Sequence, residues 1–201
     1  MSVDKLVFYN VKDEYIEYLI EVDDKVMFNK PEDNTRPYVG FVLKIDELDY
    51  LVPLSSKLRK TNDVTTIIPN TFTKEQLESG EYKNFPEKIA IIKFNCMIPI
   101  IPEVISKINL NEIAIDEDGQ KYRDLLVKEI NFCADNRDRI LKKASKAYKI
   151  YNENKPYMKE IVDSCCDFKK LEEACKEYKN NLIKNGQALK ETAASVNNLK
   201  K

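Results

Sequence analysis

The chain has 201 residues, 43% hydrophobic and 33% charged, with a net charge of −1 and no histidine. That is enough apolar side chain for one substantial core, or two small ones, under a heavily charged surface, and it excludes any chemistry that depends on imidazole. No stretch approaches the roughly 18 apolar residues of a transmembrane helix. The opening MSVDKLVFYN has no basic segment followed by a long apolar run, so a cytoplasmic protein without membrane contact is expected. Five cysteines, Cys96, Cys133, Cys165, Cys166 and Cys175, are odd in number and irregular in spacing, which argues against a disulfide framework and for reduced thiols. Without histidine a zinc site would need four thiolates, and no metal or cofactor is expected.

Charge is unevenly spread. Leu141 to Lys201 holds 14 Lys against 8 Asp and Glu, a balance of +6, which leaves −7 for the first 140 residues. Such asymmetry suits an anionic ligand on one side, or simply a set of solvated helix faces.

In chain order, Lys5 to Tyr9 reads as a short strand, and Asp13 as the cap of a helix from Glu14 to about Val22 with Tyr15, Ile16, Leu19 and Ile20 on its buried side. Asn29 to Asn34 is a polar, Pro-containing loop. Two apolar runs, Tyr38 to Ile45 and Tyr50 to Leu54, flank Asp46-Glu47-Leu48-Asp49 and form a β-hairpin, with Pro53 ending the ladder because it has no N–H to donate. Thr65 to Ile68 is a further short strand. Thr73 and Gln76 form a capping box for a helix to Ser79. Lys88 to Phe94 is a central strand, and Met97 to Pro102 an edge or loop that still packs on the core.

From Gln120 the period becomes helical. Tyr122, Leu125, Leu126, Glu129, Ile130 and Cys133 make one stripe, in a helix expected to continue to about Asn152 and to break before Pro156. Asp167 caps a second helix from Phe168 to Asn185, which Gly186 stops, and the small polar tail is expected to fray. Strands first and helices after is an α+β arrangement. The expected organisation is a single domain over 1–201, strand-rich over 1–118 and helical over 119–185, with a frayed tail over 186–201. Neither GxGxxG nor GxxxxGK[ST] occurs.

The hairpin's second strand delivers Ser55, Ser56 and Lys57 to the mouth of a sheet, with Arg59 and Lys60 just beyond and Arg36 just before the first strand. Hydroxyls and fixed cations are what a metal-free cut of RNA by its own 2′-hydroxyl requires. Charge on the non-bridging oxygens must be stabilised, and the nucleophile held in line with the leaving 5′-oxygen. A bidentate arginine suits such a phosphate. The general base is open; tyrosine or lysine would need a depressed pKa. A solvated loop is the competing account of the same residues, and a non-catalytic RNA-binding module or a protein-interaction domain remain alternatives.

Several segments, FYNVKDEYIEYLIEVDDKV (Phe8 to Val26), RPYVGFVL (Arg36 to Leu43), YLVPLSSK (Tyr50 to Lys57) and KFNCMIPII (Lys93 to Ile101), resemble the ToxN/AbiQ family of type III toxin–antitoxin and phage abortive-infection toxins. KYRDLLVKEINF (Lys121 to Phe132) and CDFKKLEEACKEY (Cys166 to Tyr178) resemble its helical half. The resemblance implies a compact, highly twisted antiparallel sheet like that of the Kid/MazF toxins, with added helices. It implies a metal-independent endoribonuclease of cellular and phage RNA that leaves 2′,3′-cyclic phosphate and 5′-hydroxyl ends. It also implies a repeated small RNA, folded as a pseudoknot, that is processed by the toxin, inhibits it and closes with it into a ring-like assembly.

By the same resemblance Ser55 and Ser56 stand for the family's Thr/Ser-Ser pair, Arg36 for a cation that grips the scissile phosphate, and Tyr15 for a helix tyrosine associated with activity; a core tyrosine is its other reading. The family's usual Ser-Pro-Lys is here Ser56-Lys57-Leu58-Arg59, with Leu58 in the lysine's place, which leaves Lys57 or Arg59 for the phosphate. Further RNA contacts fall to Arg59, Lys60, Lys142, Lys143, Lys146 and Lys149 through phosphates, and to Tyr38, Phe72, Tyr82 and Phe85 through stacking, each aromatic having a core reading beside it.

Overall fold

The computed structural model describes residues 7–27, 39–57, 65–113 and 116–198, with side chains as far as residue 185. Strand β1 (Phe8–Val11) leads into helix α1 (Asp13–Val22). The hairpin is β2 (Val39–Ile45) with β3 (Leu48–Ser55). Then come β4 (Thr65–Pro69), α2 (Lys74–Ser79), β5 (Lys88–Lys93), the two-residue β6 (Ile98–Pro99) and β7 (Ile105–Lys107). Helices α3 (Glu117–Asp135), α4 (Arg137–Glu153), α5 (Lys159–Ser164) and α6 (Phe168–Asn198) complete the chain. All pairings are antiparallel in a seven-stranded sheet of order β4-β5-β3-β2-β1-β7, with β6 beside β3. The α+β expectation holds, with the helices gathered in the second half of the chain.

The sheet turns on β3. One edge pairs with β2 from Ile45↔Leu48 to Gly40↔Pro53. The other takes β6 at Tyr50↔Pro99 and Leu51↔Ile98, then β5 at Leu54↔Ile92 and Ser55↔Ile91. Between those partners the 3-10 turn Phe94–Cys96 leaves the ladder. Pro53 therefore does not end the strand as its chemistry suggested. It stands opposite the interruption, where its missing N–H is not called for, and the strand runs two residues further to Ser55. The hairpin loop is also tighter than expected: Asp46-Glu47 alone, with Asp46 at φ 52°, a left-handed conformation that Asp tolerates.

Several boundaries move for local reasons. Asp13 is the first helical residue of α1, and Lys12 precedes it without a side-chain cap; Asp13 and Glu14 then meet the positive end of the helix dipole. The long helix expected from Gln120 to Asn152 is two helices. The break falls at Asn136, whose backbone (φ −109°, ψ 17°) leaves the helical region. Its backbone N–H and its side-chain amide both donate to the Phe132 carbonyl, at 3.1 and 2.9 Å, closing α3, while its own carbonyl accepts from the Ile140 N–H to begin α4. Gly186 does not stop α6, which runs to Asn198. The glycine penalty of about 1 kcal/mol is outweighed by the helix-favouring Ala188, Leu189, Lys190, Ala193 and Ala194 around it. The capping box is as read: the Gln76 N–H donates to Thr73 Oγ1 and the Thr73 N–H to Gln76 Oε1.

Helix α1 buries Tyr15, Ile16 and Leu19, and α6 lies across α1 and β6. Phe8, Phe41, Tyr50, Leu51, Phe94, Met97, Ile98 and Phe168 are among the largest fully buried side chains of the core, which occupies both faces of β3. Two hydroxyls clamp the layers, because Tyr50 of β3 and Tyr148 of α4 both donate to Glu172 Oε1 of α6, at 2.5 and 2.6 Å. Desolvation, and then the Glu172 carboxylate, push the Tyr50 phenol far above its ordinary range, so it stays a donor.

Gly40 is where β2 approaches β3 most closely. A Cβ there would lie 2.2 Å from the Val52 carbonyl oxygen, a backbone atom that cannot swing away. Gly40→Ala is expected to lower the unfolding free energy by at least about 1–3 kcal/mol, measured as a reduced urea midpoint.

Candidate functional site

The end of β3 is the candidate site. Ser55 is the last strand residue and is only 9% exposed, while Ser56 and Lys57 emerge into solvent. The Lys57 N–H donates to Ser55 Oγ at 3.2 Å, a Ser turn of the kind that fixes the backbone two residues on. The three residues thus divide their work. Ser55 spends an oxygen lone pair on holding the turn. Ser56 offers an exposed hydroxyl, and Lys57 carries a positive charge on an anchored main chain.

Pairing brings further polar groups to this end of the sheet. Residues opposite one another share a face, so the row Ser55, Ile91 and Ile67 lies on one side. Two residues further along β5, Lys93 lies on that same side, a diagonal position that places it about 7–8 Å from Ser55. It pairs with Thr65, whose carbonyl accepts from Lys143 Nζ of α4 at 2.9 Å. Lys93 was not picked out as a site residue. The only signal for it was the sequence KFNCMIPII, because the β3–β5 pairing that makes it a neighbour leaves no periodic trace. Thr66 of β4 has a buried hydroxyl oxygen without a hydrogen-bond partner among the described residues, on the opposite face of the same sheet.

Of the other expected residues, Arg36, Tyr38, Arg59 and Lys60 lie outside the described residues. Tyr15 is fully buried and donates to the Pro99 carbonyl at 2.8 Å. Burial and then the neighbouring Cys175 push its phenol far above the ordinary range, and its ring packs edge-on against Tyr178 at 4.9 Å. That geometry matches the core reading. Lys142 and Lys146 are exposed one turn apart on α4, whereas Lys143 reaches inward to β4 and Lys149 pairs with Glu153 at 3.6 Å. Phe72 and Tyr82 are half-buried against each other at 5.8 Å, and Phe85 is 43% exposed, so Phe85 alone of the three has an open face.

Comparison with known proteins places this chain among the toxins of type III toxin–antitoxin systems. The chain belongs to the ToxN family, the toxin ToxN of such a system, whose family model matches residues 7–176. It is 36% identical over 175 residues to the endoribonuclease ToxN of Bacillus thuringiensis subsp. kurstaki, covering 86% of this chain and 84% of that protein. To the endoribonuclease AbiQ of Lactococcus lactis subsp. lactis it is 29% identical over 168 residues, covering 83% and 86%. A solved bacterial type III system, with selective toxin inhibition by a non-coding RNA pseudoknot, superposes with a TM-score of 0.70 at 35% identity over 88% of this chain and 99% of that one. The lactococcal anti-phage endoribonuclease AbiQ shares the fold, with a TM-score of 0.66 at 22% identity over 88% and 99%.

Tyr15→Phe separates chemistry from packing. Removing the hydroxyl strands the Pro99 carbonyl, so stability is expected to fall by about 1–3 kcal/mol in urea denaturation, whereas a tyrosine kept only for chemistry would leave the midpoint unmoved.

Proposed function

We propose that this protein is an endoribonuclease toxin of a type III toxin–antitoxin system. It would act in the cytoplasm on cellular and phage RNA and be silenced by a repeated pseudoknot RNA that it also processes, in a closed toxin–RNA assembly. The observation that carries the activity is the 36% identity to an endoribonuclease ToxN over 86% of the chain. What supports the site is that Ser56 and Lys57 stand exposed on a turn fixed by Ser55.

In this reading the RNA's 2′-hydroxyl attacks the adjacent phosphorus, the bond to the 5′-oxygen breaks, and a 2′,3′-cyclic phosphate and a 5′-hydroxyl result. Negative charge grows on the non-bridging oxygens as the fifth bond to phosphorus forms. Lys57 neutralises it, and the Ser56 hydroxyl or N–H donates to it, both better matched to the transition state than to the ground state. Ser55 is a positioning residue that acts through the Lys57 main chain. Arg36 precedes Gly40 by four residues and Lys57 follows its cross-strand partner Pro53 by four, an equal count that supports giving both cations to one phosphate, with Arg59 and Lys60 on the flanking RNA. Lys142 and Lys146 extend the track along α4, and Tyr38 and Phe85 are the stacking residues.

Ser56→Ala and Lys57→Ala are each expected to reduce cleavage of the antitoxin repeat RNA by about 10²–10³-fold without altering the fold. Ser55→Ala should cost less, with the loss regained in Ser55→Thr. Wild-type cleavage should continue in EDTA and give cyclic phosphate ends, read by 3′ ends that resist phosphatase until acid opens the ring. RNA that is bound with a steep salt dependence yet left uncut would replace the enzyme with a binding module.

Lys142→Ala/Lys146→Ala should weaken RNA binding across sequences. It should also flatten the log–log salt slope by roughly one to two units, in a titration from low to moderate salt.

A further inference from the structure

Three of the five cysteines meet at one place that the RNA chemistry does not use. Cys96 closes the 3-10 turn after β5, while Cys165 and Cys166 lie between α5 and α6; all three are reduced and buried. Main chain fixes the meeting. The Cys166 N–H donates to the Asn95 carbonyl at 2.8 Å, and the Asn95 side-chain amide donates to the Ser164 carbonyl at 2.8 Å. The thiols of Cys96 and Cys166 are close enough to act on one another's protonation. A backbone bond to the carbonyl just before Cys96 sets the two chains at hydrogen-bonding separation, comparable to the Cα separation of about 4.4–6.8 Å that a disulfide spans.

The two sulfurs are not equivalent. The neighbouring Cys166 lowers the Cys96 thiol against the opposing effect of burial, with Lys93 and Lys25 assisting and the Asp23 charge opposing. Cys96 and then burial hold Cys166 protonated. Cys165 differs: burial pushes its thiol up to about 12. Its place is in the wall of a cleft of about 360 Å³, with Lys25, Tyr151 and Asp167. The cleft brings solvent to the residue next to Cys166. Among the described residues no group of three or more His, Cys, Asp and Glu side chains converges as a metal site.

We propose that Cys96 and Cys166 form a reversible redox site that a hydroperoxide converts to a disulfide. The Cys96 thiolate attacks the peroxide oxygen, the O–O bond breaks, and the departing alkoxide or hydroxide takes up a proton, leaving a sulfenic acid on Cys96. The Cys166 sulfur then attacks the sulfenic sulfur. The S–O bond breaks as the S–S bond forms, and the Cys166 proton leaves with the hydroxide as water. Two electrons pass from the two thiols to the peroxide. The new bond would tie the end of β5, the strand paired with Ser55, to the start of α6, so the oxidised protein has its site strand covalently fixed to the helical layer.

The test uses the full chain, reduced and then exposed in its native state to hydrogen peroxide. Remaining thiols are alkylated in denaturant, and the digest is mapped by mass spectrometry without reduction. The expected result is one cross-link, the Cys96 peptide joined to the Cys166 peptide with two hydrogens lost. It should be reversed by dithiothreitol, retained in Cys165→Ser and absent in Cys96→Ser. A Cys165–Cys166 or Cys96–Cys165 pair, or sulfinic acid in place of the bond, would overturn the proposal. So would both thiols remaining alkylatable at a peroxide dose that oxidises the urea-unfolded chain. Because wild type and Cys165→Ser alone decide the matter, a Cys96→Ser chain that fails to fold does not rescue it.

Discussion

Strand β3 can serve two sheet edges only because Gly40 lets β2 come close enough. With a hydrogen in place of a side chain, Gly40 sits against the Val52 carbonyl, and the β2–β3 ladder stays in register as far as Pro53. On its other edge β3 takes β6 and β5 in turn, with the 3-10 turn between them. A strand held on both sides is a rigid support. The two residues that extend beyond Pro53 therefore carry Ser55 to a fixed position, and Ser56 and Lys57 follow from it. Shifting the register by one residue would turn every side chain of the strand to the opposite face, so the candidate site and the core depend on the same pairing.

The helical layer is joined to that support by polar contacts as well as apolar ones. Tyr50 lies in the middle of β3, and its hydroxyl reaches Glu172 of α6, as does that of Tyr148 from α4. At the start of α6, Asp167 accepts from Tyr151 and from the Lys170 N–H, while its own N–H donates to Asp23 beyond α1. Lys25 donates to the Cys165 carbonyl at 3.0 Å. Charge-assisted bonds of this kind are stronger than neutral ones, and here they converge on the segment that also carries Cys165 and Cys166. Sheet, α1, α4 and α6 thus meet at one polar junction, and a covalent bond made there would act on the molecule as a whole.

What the amino-acid pattern disclosed, and what it hid, follows from the range of the interactions involved. The hairpin, the capping box and the helical stripes rest on residues within a few positions of each other, and each was legible. Pro53 was misread because the rule against proline presumes a ladder that needs its N–H, and the interruption that removes the need lies about forty residues away, at Phe94–Cys96. The break between α3 and α4 falls at Asn136, where the backbone leaves the helical region, with no Gly or Pro to announce it. In the site, the chemistry of Ser55, Ser56 and Lys57 could be read from the residue types. That Ser55 turns inward to hold Lys57, and that Lys93 shares its face, depended on strand pairing. Tyr15 was ambiguous in sequence because a helix tyrosine on an apolar stripe suits either role; its bond to Pro99 favours the core.

Absence of histidine shapes the chemistry more than any residue present. A buried tyrosine such as Tyr15 or Tyr50 is a poor base, because desolvation disfavours the phenolate and both hydroxyls are already donating. The proton of an RNA 2′-hydroxyl therefore has no strong acceptor among these groups. In the proposed mechanism the rate would come instead from geometry and from charge placed where the phosphate becomes most negative. Such a design tolerates little looseness, since misplacement of a single ångström can cost about a hundredfold. Under that proposal, a lysine whose main chain is held by the serine two residues before it, at the end of a strand held on both edges, meets the requirement. Lysine gains its reach from four flexible carbons, and Ser55 removes the part of that freedom that lies in the backbone.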